Sequence, residues 1–198
     1  MAAHRYFRLT NFAGYSNYVG LCEVKLSDSV SGTNRVGSGT ASASSQYSGS
    51  YIPSYACDGN LANYWSSTAA DAPLAWWQYD FGAGNAWDII EVVLTAPAGA
   101  GYVYAPTSFS LLWSDDGATW SNEWSFTTAA WTTGNQVQTL DAPRSSPTVA
   151  RWAGLAREVL RTTGTGGATY IAMDALAREV LRSAAQRAPG GPMVSIIM

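Results

Sequence analysis

Asp58-Gly59-Asn60 sets a carboxylate, a glycine and an amide side by side. Oxygen donors around a residue that tolerates positive φ make either a tight Asx-type turn or part of a hard-cation site. A second acidic turn, Asp115-Asp116-Gly117, lies between strand-like segments, where Asp-Gly is a hairpin signal before it is a carboxylate pair. His4 is the only histidine and is expected to sit on a mobile terminus, so no Ser-His-Asp or Cys-His arrangement is in prospect. The glycine-rich run at residues 163–167 lacks the lysine of a phosphate loop. The chain therefore reads as a binding protein without catalytic residues.

The residues suited to binding are aromatic. Tyr15, Tyr18, Tyr47, Tyr51, Tyr102 and Tyr104 fall in Gly- and Ser-rich connections rather than in alternating runs, and residues 99–106 resemble an exposed finger. A ring offers a flat apolar face with a polar tip, which suits sugar C–H faces and hydroxyls. Asn17, Gln46 and Asp71 could supply further polar contacts. Taken singly, each tyrosine is more readily a core or rim residue than a ligand contact; the group carries the signal. Trp65, Trp77 and Trp120 sit in strand-like motifs and are expected in the core.

Short β-strands must position these groups. Residues 5–9, 22–26, 89–94, 109–113 and 137–140 alternate apolar and polar side chains, separated by Gly, Ser and Asn, with no helical stripe. Regular short strands with turn signals indicate a sandwich or barrel. Residues 31–50, rich in Gly, Ser and Thr, are expected to form a loop or loosely held edge.

Composition bounds the partners. The chain has 198 residues, 47% hydrophobic and 13% charged, with nine tryptophans, eleven tyrosines and a net charge of −3. A packed core is within reach, and no basic cluster precedes residue 144, so a nucleic-acid footprint is missing. Cys22 and Cys57 are too few for a disulfide scaffold; one bridge or two buried thiols both remain open. No apolar run approaches the roughly 20 residues of a membrane span. The opening residues lack an apolar signal core, so a soluble protein without a classical leader is expected.

The segments 56–67, with Asp58-Gly59-Asn60 and Trp65, 76–82 (Trp-Trp-Gln-Tyr-Asp-Phe-Gly) and 114–120 (Ser-Asp-Asp-Gly-Ala-Thr-Trp) together resemble the discoidin, or coagulation factor 5/8 type C, family. The resemblance covers about 138 residues and implies an all-β, discoidin-like jelly-roll sandwich over residues 4–142 that binds glycans or lipid headgroups. In common members the strands resembling 5–9 and 21–26 come last; here they come first, which reads as a circular permutation. The resemblance also implies one structural Ca2+, held by Glu23, the Ala56 carbonyl, Asp58, Asn60 and Asn63. An asparagine stands at 63 where the family prefers threonine, though its amide oxygen could serve. The alternative is an Asx turn with no metal. Phospholipid binding is disfavoured because the candidate loops carry tyrosine and little positive charge.

Beyond Pro143, Leu-Ala-Arg-Glu-Val-Leu-Arg occurs at residues 155–161 and again at 176–182. These paired segments resemble ones at the ends of phage tail and other virion proteins. Helix and short strand are both compatible with them. Residues 143–198, ending in an apolar stretch, are expected to form an attachment or oligomerisation element that docks on other virion proteins. The expected whole is a virion-borne, homo-oligomeric module for host cell-surface polysaccharide, with no nucleic-acid partner and no membrane insertion. A virion decoration protein without a glycan ligand, or an accessory module of a polysaccharide-degrading assembly, are the alternatives.

Overall fold

The computed structural model describes residues 2–142. The expected two-copy element at residues 143–198, and the choice of helix or strand within it, lies outside them. The described residues form an all-β sandwich of ten strands and three short 3-10 turns. The strands are β1 (Tyr6–Ala13), β2 (Gly20–Leu21), β3 (Glu23–Ser27), β4 (Thr40–Ala43) and β5 (Trp65–Ser66). Then come β6 (Trp76–Asp80), β7 (Glu91–Thr95), β8 (Ser108–Ser114), β9 (Ser121–Thr127) and β10 (Val137–Asp141). They assemble into a five-stranded sheet β4-β6-β1-β8-β9, a three-stranded sheet β10-β7-β3 and the short pair β2-β5, all antiparallel.

The period-2 pattern decides which face each strand buries. On β1, Phe7 and Leu9 face inward, opposite Tyr79 and Trp77 on β6 and Trp113 and Leu111 on β8. Phe7, Leu9, Trp77, Tyr79 and Leu111 are all at most 1% exposed. The second sheet contributes Val24, Leu26, Val92 and Leu94 to the same core. β7 is central in its sheet and buries every residue except Val93, including Glu91. That carboxylate accepts a 2.6 Å bond from the Ser31 backbone N–H and lies 3.5 Å from Lys25 Nζ.

Four buried aromatics use their polar tips to hold loops. Trp65 and Trp77 donate indole N–H bonds of 2.9 Å to the Ser45 and Pro53 carbonyls, and Trp131 donates one of 2.9 Å to Pro106. The Tyr79 hydroxyl accepts from Gly37 N at 2.8 Å and Gly39 N at 2.6 Å. A buried indole or phenol needs such a partner, so the requirement that closes the core also fixes residues 37–53. The stretch expected to be a loop or loose edge is thus an edge strand, β4, with tethered flanks. Gly39 permits the approach, because a Cβ there would lie 2.1 Å from the Asp80 carbonyl.

Two expectations are corrected. His4 is buried rather than mobile: it bridges to Trp87, stacks on Trp113 with centroids 3.6 Å apart, and its Nδ1 lies 3.1 Å from both Asp115 carboxylate oxygens. Trp120 is half-buried on the outer face, not in the core, with the Arg8 guanidinium 3.9 Å from its ring centre and 4.2 Å from that of Trp76. Arg8 also donates from Nε and Nη2 to Gln78 Oε1 at 3.1 and 2.7 Å. The alternating pattern could not place Trp120, because it follows the hairpin turn at Gly117 (φ +72°) and folds back over β1. Asp116 holds that turn by accepting from the Ala118 and Thr119 N–H groups, which keeps its carboxyl well below the usual range.

The chain ends of the sandwich lie close. His4 N bonds the Trp87 carbonyl and Ala142 N bonds the Ile90 carbonyl, only three residues along. A linker of about six residues spans that gap. A chain reordered as 40–142, linker, 4–39 is expected to unfold cooperatively and to keep the near-UV circular dichroism of the buried tryptophans. Loss of both signals would show that the connection cut between residues 39 and 40 is needed for the fold.

Candidate functional site

Loops at the β2-β5 end gather five tyrosines. Ring centroids lie 5.6 Å apart for Tyr104–Tyr18, 5.1 Å for Tyr18–Tyr47, 5.6 Å for Tyr47–Tyr51 and 4.9 Å for Tyr51–Tyr64. Every contact is edge-to-face, the arrangement ring quadrupoles favour, worth about 0.5–1.5 kcal/mol each beyond buried area. The cluster closes around Gly20, where a Cβ would meet Tyr104 Cβ at 3.0 Å and Tyr64 Cδ2 at 3.6 Å. Backbone bonds from Tyr47 N to the Ser66 carbonyl (2.8 Å) and from Ser66 N to the Tyr51 carbonyl (3.4 Å) pin the 47–51 turn to β5. Tyr47 is the most open member, at 53% exposure.

The rings perturb one another. The neighbouring Tyr47 makes the Tyr18 phenol harder to ionise, and burial followed by the Tyr51 hydrogen bond does the same for Tyr64. Around the corner lies an open cleft of about 360 Å³, lined by Tyr15, Tyr102, Val103, Thr107 and Trp131 among others. Tyr15 and Tyr102 pack partly against the core. The six tyrosines singled out in the sequence therefore divide: Tyr18, Tyr47, Tyr51 and Tyr104 share the cluster, whereas Tyr15 and Tyr102 line the cleft. Sequence reasoning missed Tyr64 and Trp131. Tyr64 stood beside the Asp-Gly-Asn turn and could have been read as loop-borne; Trp131, in Ala-Ala-Trp-Thr-Thr, carried no periodic signal. Of the polar candidates, Asn17 and Gln46 are exposed, while Asp71 is hydrogen-bonded by Ser44 and Ser45.

The second group is the oxygen-rich loop. Gly59 N donates to Glu23 Oε1 at 2.8 Å, tying β3 to the turn that follows the 3-10 segment Pro53–Cys57. Asp58 accepts from Asn60 N and from Asn63 Nδ2, both at 2.9 Å, and Asn60 Oδ1 accepts from Ala62 N at 3.1 Å. This is the Asx-turn geometry of the metal-free alternative. One atom is left over: Asn63 Oδ1 is buried with no hydrogen-bond partner. Glu23 also ionises less readily than usual, chiefly through burial, with Asp58 adding to it. No cluster of three or more His, Cys, Asp and Glu is present among the described residues, so a cation here would rely on amide and carbonyl oxygens beside two carboxylates. An orphaned amide oxygen in the same loop as the Asp58 carboxylate, with Glu23 tied to that loop through Gly59 and harder to ionise than usual, fits a hard cation. Cys22 and Cys57 are free thiols, pushed up to about 11 and about 12 by burial and then by Glu23 and Asp58.

The F5/8 type C domain matches residues 40–152, more than half the chain. The chain belongs to the F5/8 type C domain family. That family consists generally of non-catalytic binding modules, often for carbohydrate. No curated protein and no solved structure matches the chain. The matched span begins at the first residue of β4, so β1, β2 and β3 precede it, yet β1 is the middle strand of the large sheet of this F5/8 type C domain. No helix among the described residues is long and apolar enough to cross a membrane.

Ultraviolet titration tests the cluster. Tyr18 and Tyr64 ionise above the ordinary tyrosine value near pH 10. The unfolded chain would ionise first, so folded-state stability is full below about pH 10 and falls as pH rises beyond it. Two tyrosine classes are expected in the native protein, and Tyr51→Phe should move Tyr64 toward the normal class. A single unshifted class would contradict the packing.

Proposed function

We propose that this F5/8 type C domain is a glycan-binding module whose contact surface is the tyrosine cluster and adjoining cleft. The observation that carries the reading is the cluster itself: five rings from three loops, held edge to face at one end of the sandwich, with Tyr47 exposed and the other four half-buried. Rings immobilised by one another lose little conformational freedom on binding, which favours a shallow sugar site. The polar groups nearby are hydroxyls and amides, suited to sugar hydroxyls, and the domain needs no catalytic group for this task.

Calcium, in this reading, is a structural ion. Glu23, Asp58 and Asn63 would hold it, with the Ala56 carbonyl and Asn60 completing the set. It would supply positive charge that relieves the Glu23–Asp58 repulsion and satisfies Asn63 Oδ1, fixing the loop next to Tyr64. The ligand we propose is a host cell-surface polysaccharide. The carrier we propose is a phage or phage-like virion, supported by sequence alone through the paired segments at 155–161 and 176–182. Many copies on one particle would raise weak single-site affinity through avidity.

The full chain should bind purified bacterial capsule or lipopolysaccharide saturably, and Tyr47→Ala/Tyr104→Ala should weaken binding at least about tenfold, roughly 1.4 kcal/mol. Failure to bind any polysaccharide, from a cooperatively folding sample, would refute the module. For the ion, Ca2+ should raise the Tm of the wild type and chelator should reverse it. Glu23→Gln keeps the acceptor for Gly59 N but removes the charge. Because ionised Glu23 opposes folding above its raised pKa, the variant without Ca2+ should be at least as stable at neutral pH and should lose the Ca2+ response. An equal Ca2+ shift in both proteins would place the ion elsewhere.

A further inference from the structure

We infer that the ligand is an uncharged oligosaccharide occupying two adjoining subsites, the tyrosine cluster and the Tyr15–Tyr102–Trp131 cleft; this rests on the glycan-binding reading. Two loops contribute a tyrosine to each subsite. Residues 14–18 place Tyr15 in the cleft and Tyr18 in the cluster, and the 3-10 turn Gly99–Tyr104 places Tyr102 in the cleft and Tyr104 in the cluster. A 3-10 helix has three residues per turn, so side chains two apart leave it on different sides. The turn is therefore a ridge with one tyrosine on each flank. Tyr102 and Tyr104 have Cα atoms no more than about 7 Å apart, close enough for neighbouring units of one chain to bind on both sides. Ser16 N bonds the Val103 carbonyl at 2.9 Å, locking the two loops together, so both subsites are held in one rigid unit.

Charge selects the class of sugar. The cleft lining contains no ionisable group other than tyrosine. Residues 2–142 carry only four Lys and Arg, and each is engaged away from the cluster. Arg5 is paired with Asp80, Lys25 with Glu91 and Arg35 with Asp28, while Arg8 lies between Trp76 and Trp120 on the sheet face. No cation among the described residues is left to receive a carboxylate, sulfate or phosphate at either subsite. Eleven Asp and Glu over the same residues further oppose a polyanion. What remains is ring stacking and hydroxyl exchange, which a neutral chain supplies.

The test uses the full-length protein and size-graded oligosaccharides, from single sugars to hexamers, cut from a neutral bacterial capsule that it binds, beside a matched uronate-containing series. Affinity should rise by at least about tenfold between the single sugar and the shortest oligomer that covers both subsites, then level off. Tyr47→Ala probes the cluster. Ala130→Trp probes the cleft from an exposed position on its lining, so the core stays intact. Either variant should weaken the long oligomer by about tenfold. Equal affinity at all lengths, or an Ala130→Trp variant that binds the long oligomer normally, would overturn the two-subsite arrangement while leaving a glycan site at the cluster. Tighter binding of the uronate series would overturn the uncharged class. Absence of binding to every polysaccharide would remove the glycan reading itself, and this inference with it.

Discussion

A buried aromatic side chain with one polar atom cannot satisfy that atom from within an apolar core, and much of this domain follows from that constraint. Leaving an indole N–H or a phenol unpaired in the interior costs about 1–3 kcal/mol. Trp65, Trp77, Trp131 and Tyr79 meet the demand with backbone groups of loops rather than of strands. Each large core residue is thus also an anchor for an irregular segment. Residues 37–53, low in regular hydrogen bonding, acquire a defined path because the core requires their carbonyls and amides.

The binding end depends on those anchors. Trp65 sits in β5, against which the 47–51 turn is hydrogen-bonded, and its indole holds Ser45 just upstream. Trp131 fixes Pro106, at the far end of the turn that carries Tyr102 and Tyr104. Gly20 leaves the space into which Tyr64 and Tyr104 close. The tyrosines then lock one another through edge-to-face contacts, so the surface is pre-formed. The rigidity that a shallow sugar site requires is supplied by the same residues that fill the sandwich.

Electrostatics is arranged in separate compartments. Arg5–Asp80 and Arg35–Asp28 are bidentate pairs on the outside, each lowering its carboxyl below the usual range, and both are partly exposed, so their contribution to stability is small. The Glu23–Asp58 pair is different: Glu23 on β3 faces the loop that carries Asp58, where burial and then Asp58 make Glu23 harder to ionise, and Asn63 Oδ1 in that loop is buried without a hydrogen-bond partner. That loop adjoins Tyr64, which makes its charge balance relevant to the aromatic surface. Among the described residues, the tyrosine end carries no fixed positive charge.

Much of the fold was legible in the sequence, because alternation along strands is a local property. Residues 5–9, 22–26, 109–113 and 137–140 fall on β1, β3, β8 and β10, and 89–94 overlaps β7 with a shift toward its C-terminal end. The aromatic motifs at 56–67, 76–82 and 114–120 carried the family, and the tyrosine-rich loops were visible as a group. Which tyrosines meet was not legible, since Tyr18, Tyr47, Tyr64 and Tyr104 are brought together only by sheet pairing and loop tethers between distant segments. Position along the chain also misled: His4, three residues from the end, is buried because Trp113 and Asp115, more than a hundred residues away, complete its stack and its hydrogen bond. Trp120 lies outside the core because Arg8 offers a cation on the far face of β1. The sequence determined the strands, their inward faces and the stock of loop aromatics; only tertiary structure decided which of those aromatics became core, platform or cleft, because that depends on partners supplied by other strands.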